Sequence, residues 1–351
     1  MDFVLSDEQV ALAEAERAWL AKNSPLQERR KAIDDGPARI SPASLRHLVE
    51  SGLPGLLTEE LGGTHVDLLV LVEEHGRAAS AAPLAELAAA ARLLERIGHP
   101  ALADAAAGTN LVLPAVGSIE DSALHADIEG TSLRVRGTTA PITGLIDAQR
   151  ILLAVSTLDG VDVAAVVDLD AVDVRVLETL DLTRAWAVAD VDLNLGPDDW
   201  HLLPSGSLDV LRDQLATFRA VDALGAAEAL LDLTVEYAGQ RTQFNQPIGS
   251  FQAVKHQCAN MALSIEAARA AIWAAAVALD GDCAATRARA VAAAAAFTGE
   301  GTSSAAQTAL QIHGGIGFTW EHDVHLLIRR IKVDELLDGS VSYHRRRLVN
   351  I

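Results

Sequence analysis

The stretch Arg241-Thr242-Gln243-Phe244-Asn245-Gln246-Pro247-Ile248-Gly249, followed by Phe251-Gln252, decides how this chain is read. It joins two long runs of helical period. Before it, Val221, Leu224, Ala227, Leu231, Val235 and Ala238 step by three or four, with Glu228, Asp232 and Glu236 on another face. After it, Val254, Cys258, Met261, Ile265, Ala268 and Ile272 repeat the step. Asn, Pro and Gly at the junction predict a turn between two helices. An Arg at such a junction presents a fixed fork of donors to a phosphate, and Phe244 offers a flat face to a ring. A capped helix–helix turn with a solvated Arg has the same composition, so spacing alone leaves both readings open.

Working outward, the helical period holds from about residue 208 to the end, with an Ala-rich segment from Arg287 to Phe297 whose small side chains allow close packing. On the N-terminal side the character changes. Leu133-Arg134-Val135-Arg136, Ile151 to Val155, Val163 to Val167 and Val172 to Val176 are short β-branched runs separated by Gly, Asp and Thr. That rhythm predicts a small barrel or sandwich. Residues 1–108 read as helical again. Ser6 caps a helix carrying Val10, Leu12, Ala15, Trp19 and Leu20, Ser41-Pro42 opens a second, and two more run from about Val66 to Ala79 and from Leu84 to Ile97. The expected class is α+β in three parts: an N-terminal helical domain over 1–108, a middle β domain over 109–204 and a C-terminal helical bundle over 205–351.

The chain has 351 residues, half of them apolar, and 28 Lys+Arg against 48 Asp+Glu, a formal charge of −20. Disorder is excluded by the apolar content, and the acidic balance argues against nucleic acid as a partner. No uninterrupted apolar run approaches the roughly 20 residues of a membrane span, and Met1-Asp2-Phe3 lacks the basic start of a signal peptide. With only Cys258 and Cys283 there is no disulfide framework. The expectation is a cytoplasmic protein with no membrane contact.

Two further segments are chemically suggestive. In Gln311-Ile312-His313-Gly314-Gly315-Ile316-Gly317-Phe318 the paired glycines admit close approach of another backbone or a pyrophosphate, although Gly also ends ordinary helices. In Leu337-Asp338-Gly339-Ser340 the carboxylate suits a base, or equally a helix cap; the run Arg345-Arg346-Arg347 follows it. His322 and His325 are three apart, but Asp323 between them is the only nearby acid of the right reach for a metal site, so a structural role is the plainer reading.

Four signatures in order carry a resemblance across the whole chain: Met1-Asp2-Phe3 with Asp7-Glu8-Gln9; Leu57 to Gly63 with Glu73-Glu74-His75-Gly76-Arg77; Arg241 to Gln252; and Gln311 to Gly317. Together they resemble the acyl-CoA dehydrogenase family of flavoproteins. The resemblance implies a middle β-barrel, a four-helix C-terminal bundle and FAD as cofactor. It implies that Arg241, Gln243 and Phe244, with Gln311, Gly314 and Gly315, hold the pyrophosphate and adenosine of the neighbouring subunit's FAD. Thr143 and Ser340 would touch the chain's own flavin. Asp338 would stand where most relatives have a Glu base that removes the α-proton of an acyl-CoA thioester.

The departures fall on the chain's own flavin site. Gly117-Ser118-Ile119 lacks the acid that normally follows the Ser, Pro141 stands for the usual flavin-side Trp, and Leu215 and Ala216 occupy the alternative base position. Asp is also one methylene shorter than Glu, roughly 1.5 Å, and a misplacement of that order costs on the order of 100-fold in rate. The chain thus resembles one subunit of the heteromeric acyl-CoA dehydrogenases that actinobacteria use on steroids, to which Asp181-Leu182-Thr183-Arg184 is also similar. The implied partners are an acyl-CoA substrate, a homologous unlike subunit carrying the main base, and an electron-transfer flavoprotein. Arg329, Arg330 and the Arg345 to Arg347 run are candidate contacts for CoA phosphates. A self-sufficient homotetramer with Asp338 as base and a non-catalytic stabilising subunit are the other readings.

Overall fold

The computed structural model describes residues 5–117 and 124–350. Six helices open the chain: α1 (Asp7–Asn23), α2 (Leu26–Ala32), α3 (Pro42–Ser51), α4 (His65–Arg77), α5 (Leu84–Arg96) and α6 (Leu102–Ala106). Ser6 caps α1 in a reciprocal capping box with Gln9, and Ser41 caps α3 with Pro42 in its first turn, as the sequence predicts. Met1, Asp2 and Phe3 of the first signature, and Ser118 and Ile119 of the altered loop, lie outside the described residues.

The strands are β1 (Val112–Val116), β2 (Leu124–Glu129), β3 (Ser132–Thr138), β4 (Ile142–Thr143), β5 (Arg150–Ser156), β6 (Asp162–Asp168), β7 (Asp173–Leu177), β8 (Trp186–Leu195) and β9 (His201–Leu202). They make one sheet in the order β1-β5-β6-β9 and another in the order β2-β3-β8-β4, with β7 also on β8. The expected barrel is therefore two open sheets among the described residues. Two-residue strands, β9 and β4, end them, and an isolated bridge between Ala126 and Thr157 joins them. The apolar run of β5 is buried on both faces. Ile151, Leu153 and Val155 enter the core shared with the other sheet, whereas Leu152 and Ala154 meet Ala90, Leu93 and Leu94 of α5. A strand covered twice has no polar alternation to show in its sequence.

The remainder is a bundle of α7 (Ser207–Gln240), α8 (Gln252–Leu279), α9 (Ala284–His313), α10 (Val324–Asp334) and α11 (Val341–Val349). The hairpin strands β10 (Thr242–Gln243) and β11 (Gln246–Pro247) lie between α7 and α8. α4 crosses α7 backbone to backbone: a Cβ on Gly225 would stand 2.0 Å from the Glu73 carbonyl oxygen, and one on Gly76 2.3 Å from that of Asp222. Only glycine fits at that crossing. By length and composition α8 is apolar enough to cross a bilayer, with a mean hydropathy of 1.5 over its best window, which corrects the expectation of no such segment. Its alanines carry that value between scattered charges, and Met261, Ile265, Ala268, Ile272, Ala275 and Leu279 are buried in the bundle.

Candidate functional site

The predicted candidates separate into two groups at different stations along α7. At its C-terminal end, the Arg241 backbone carbonyl accepts from the Ile248 N–H at 2.8 Å, closing the β10–β11 hairpin. The turn residues Phe244 and Asn245 have φ of 51° and 63°. Both are left-handed, as a two-residue hairpin turn requires, and unusual for a phenylalanine. Phe244 is 88% exposed, with its ring edge-on to Phe251 at 6.1 Å. Arg241 and Gln243 are exposed, and the Arg241 guanidinium has no partner among the described residues.

The glycine motif comes to the same place. Tyr237, in the last turn of α7, stacks on His313, in the last turn of α9, with ring centroids 4.6 Å apart. The Tyr237 hydroxyl donates to the His313 carbonyl at 3.4 Å. On either side of His313, Gln311, Gly314 and Gly315 are exposed, and added Cβ atoms on the two glycines would meet nothing within 4 Å among the described residues. His313 lies beneath them. Its Nδ1 is 2.8 Å from the Ala309 carbonyl, so that nitrogen carries the proton, and its Nε2 is buried with no partner among the described residues. Burial, more than the neighbouring His322, keeps its pKa below the usual imidazole value. An unpaired guanidinium and an open glycine pair form a set that fits the pyrophosphate end of a dinucleotide.

The second group lies 22 residues back along α7 from Arg241, at Arg219, or about 33 Å at 1.5 Å per residue. Asp338, at φ 56°, precedes Gly339 at φ 105°, where a Cβ would press on the Tyr343 ring and His344 Nε2 at under 3 Å. Ser340 is the N-cap of α11 and accepts from the Tyr343 N–H at 3.2 Å. The Asp338 carboxylate does not face an open cleft: Oδ2 accepts from Arg219 Nε at 3.1 Å, and Arg219 Nη2 donates to Glu86 Oε1 at 3.0 Å. Arg219 and Arg184 flank the Trp186 indole, with guanidinium carbons 5.0 and 4.9 Å from the ring. Arg184 donates to Asp181 and Asp334 at 2.6 and 2.8 Å, and Arg330 grips Asp222 through both prongs at 2.7 and 2.6 Å.

These charges are dry. Burial, which alone would raise Asp222, is outweighed by Arg330 and Arg184, which hold it far below the carboxylate range. Burial, reinforced by the Asp222 charge, drives Asp334 well above its ordinary value against the opposing pull of Arg184. The cavity bounded by Val72, His75, Glu86, Thr143, Phe218 and Arg219 holds about 20 Å³, space for about one water. Thr143 Oγ1 and His75 Nδ1 are buried there without partners among the described residues. Two orphaned polar atoms suit a ligand, but the volume does not admit a flavin ring.

Sequence reasoning missed Arg219, Glu86 and Trp186. The Asp181 to Arg184 motif was the available signal, since Thr143 pairs in register with Trp186 just beyond it. The candidate CoA contacts are otherwise engaged. Arg330 is 1% exposed, Arg345 pairs with Glu300, and Arg347 Nη1 meets Asp213 Oδ1 at 2.6 Å. Among the described residues no group of three or more His, Cys, Asp or Glu is placed to hold a metal.

Residues 208–350 match the family model described as the acyl-CoA dehydrogenase C-terminal domain. The chain is 32% identical over 349 residues to the acyl-CoA dehydrogenase IpdE2 of Mycolicibacterium smegmatis, covering 92% of this chain and 98% of that protein. It is 33% identical to the acyl-CoA dehydrogenase FadE34 of Mycobacterium tuberculosis over 97% of this chain and 48% of that longer protein. Among solved structures, a variant of the Tcur3481-Tcur3483 steroid ACAD superposes with a TM-score of 0.87 at 26% identity over 98% of this chain and 97% of that one. The ChsE4-ChsE5 complex from Mycobacterium tuberculosis superposes at 0.88 and 24% identity over 100% and 98%, a likeness of fold.

Proposed function

We propose, from the premise that this chain belongs to the acyl-CoA dehydrogenase family, that it is one subunit of a heteromeric enzyme whose FAD sites it shares with an unlike partner. The family makes it an FAD-dependent oxidoreductase of CH–CH bonds. In the reaction, FAD supplies the acceptor for a hydride from the β-carbon of an acyl-CoA thioester while a base on the partner removes the α-proton. This chain's part is to bind and orient. Arg241 neutralises the pyrophosphate of the partner's flavin, Gln243 and Gln311 donate to it, Phe244 covers it from solvent, and Gly314 and Gly315 let it approach the backbone.

One observation supports the reading: the Arg241 and glycine-pair end of α7 is open, whereas the candidate base Asp338 is tied to Arg219, which also reaches Glu86. The named steroid enzyme among the structural neighbours supports a bulky polycyclic acyl group as substrate. An electron-transfer flavoprotein is the proposed acceptor of the electrons. The test is to produce the chain with its unlike partner and measure flavin absorbance per chain. One FAD for every two chains is expected. One FAD per chain, with full turnover in this chain alone, would sink the proposal.

A further inference from the structure

We infer that the chain holds a second ligand site, independent of the cofactor reading: a cavity of about 340 Å³ between the N-terminal helices and the bundle, which takes an uncharged fused-ring molecule whose carbonyl oxygen accepts from Ser24. α4 and α7 touch backbone to backbone at Gly76 and Gly225. Ala78, just after α4, and Ala229, one turn further along α7, then border a gap instead of closing it. Ala21 of α1 is equally short, and Leu20, Leu233 and Leu327 supply the remaining apolar wall. An apolar cavity of about 150 Å³ accommodates benzene, so this one has room for two or three fused rings. It also falls in the size range of small-molecule sites, which favour junctions between domains.

The polar groups choose the ligand's chemistry. Ser24 is 8% exposed, lines the cavity and accepts from Arg29 Nη2 at 2.7 Å. Its hydroxyl proton has no acceptor among the described residues, so the group is left as a donor. The Arg29 guanidinium otherwise donates to the Thr183 carbonyl at 3.2 Å and meets no carboxylate among the described residues. A hydroxyl bound by such a cation is polarised into a stronger donor. Three residues on, the Gln27 amide also lines the cavity and has no partner among the described residues. The rim charges, by contrast, are paired. Arg17 holds Glu74 through two nitrogens, Arg77 meets Glu228 at 2.9 Å and also Asp232, and Asp323 meets Arg30 at 2.8 Å. A charged ligand would have to break one of these pairs, whereas a neutral oxygen acceptor breaks none. Ala229 stands ten residues after Arg219 and twelve before Arg241, about 15 and 18 Å by helical rise, so the cavity is apart from both groups described above.

The experiment is equilibrium dialysis of the full chain, in the assembly in which it purifies, against 9-fluorenone, fluorene and fluorene-9-carboxylate. One 9-fluorenone per chain is expected, with fluorene held about two- to ten-fold more weakly for want of one hydrogen bond and the carboxylate weaker still. Ser24→Ala should bring 9-fluorenone down to the fluorene level and leave fluorene unchanged. Ala229→Phe, which fills the gap from a half-buried position, should abolish retention of both. Neither acyl-CoA nor FAD should displace 9-fluorenone. No retention by the parent, or retention that both variants leave intact, overturns the inference. So does displacement by acyl-CoA or FAD, which would make the cavity an arm of the site already proposed. Retention by the chain alone that disappears on assembly with an unlike partner overturns it as well, because a side chain of the partner then fills the space. None of these outcomes bears on the FAD stoichiometry that tests the proposed heteromer.

Discussion

Asp338 and Arg219 are joined by a half-buried hydrogen-bonded ion pair, Oδ2 to Nε at 3.1 Å, and the same guanidinium reaches Glu86 at 3.0 Å. The carboxylate proposed above as the candidate base is thereby tied to a cation on α7 and, through it, to α5. A base in that position must be free to take a proton from a substrate carbon, and this one already accepts from a guanidinium that does not give up its protons.

Asp338→Asn in the assembled complex should therefore leave turnover within about two-fold of the parent. Were Asp338 the working base, the loss would be on the order of 100-fold or more. Steady-state kcat of the complex with acyl-CoA distinguishes the two outcomes directly.

Arg241→Ala should weaken FAD retention by about 1.5–3 kcal/mol, the range for a hydrogen bond to a charged group. It should leave the thermal midpoint of the flavin-free complex unchanged, because the side chain is exposed and has no partner among the described residues. Flavin fluorescence on dilution measures the first effect and calorimetry the second.

Arg330→Met should be among the most damaging single changes to the fold. It strands Asp222, which both prongs of Arg330 now hold, and breaking one side of a buried pair costs about 3–5 kcal/mol. The readout is urea unfolding of the chain. A shift under 1 kcal/mol would mean that Arg184, at 3.5 Å from the same carboxylate, had taken over.

Gly225→Ala tests the α4–α7 crossing. Its methyl would enter the space of the Glu73 carbonyl, and the helices must separate to admit it, at a cost of about 1–3 kcal/mol or more for overpacking. Gly239→Ala, near the end of the same helix and with nothing within 4 Å, should be neutral or slightly stabilising.

Glu73 provides a pH signature. Burial raises its pKa to about 7 against the opposing pull of Arg269, above the ordinary value of 4.5, so between those limits the folded chain binds more protons there than the unfolded one. Its contribution to stability is full below about 4.5 and is lost as pH rises through 7. Glu73→Gln should therefore gain relative to the parent as pH increases across that window, which unfolding midpoints at pH 5, 6 and 7.5 would follow. A constant difference would contradict it.

The helical frame was legible because its cues are local. Ser6 with Gln9 and Ser41 with Pro42 announce their helices without tertiary help, and of the step from Val221 to Ala238 in α7, Val221, Leu224, Ala227 and Ala238 are buried, whereas Val235 is exposed. The turn at Arg241 and the glycine pair were legible as well, being exposed and bounded by helix ends. The Arg219 bar was not. Arg219, Glu86 and Asp338 are 133 and 119 residues apart along the chain, each is an ordinary charged residue in its own helix or loop, and only folding makes them dry neighbours. The open form of the sheets escaped for a related reason: a run such as Ile151 to Val155, apolar on both faces, says that the strand is covered but not by what.

The continuity of α7 bears on how substitutions combine. It runs unbroken through 34 residues, placing Arg219 about 33 Å from Arg241 by helical rise, several Debye lengths at physiological salt and far past the distance at which separate sites begin to interact energetically. Free-energy changes from altering the two arginines should sum, so either end can be re-engineered without retuning the other.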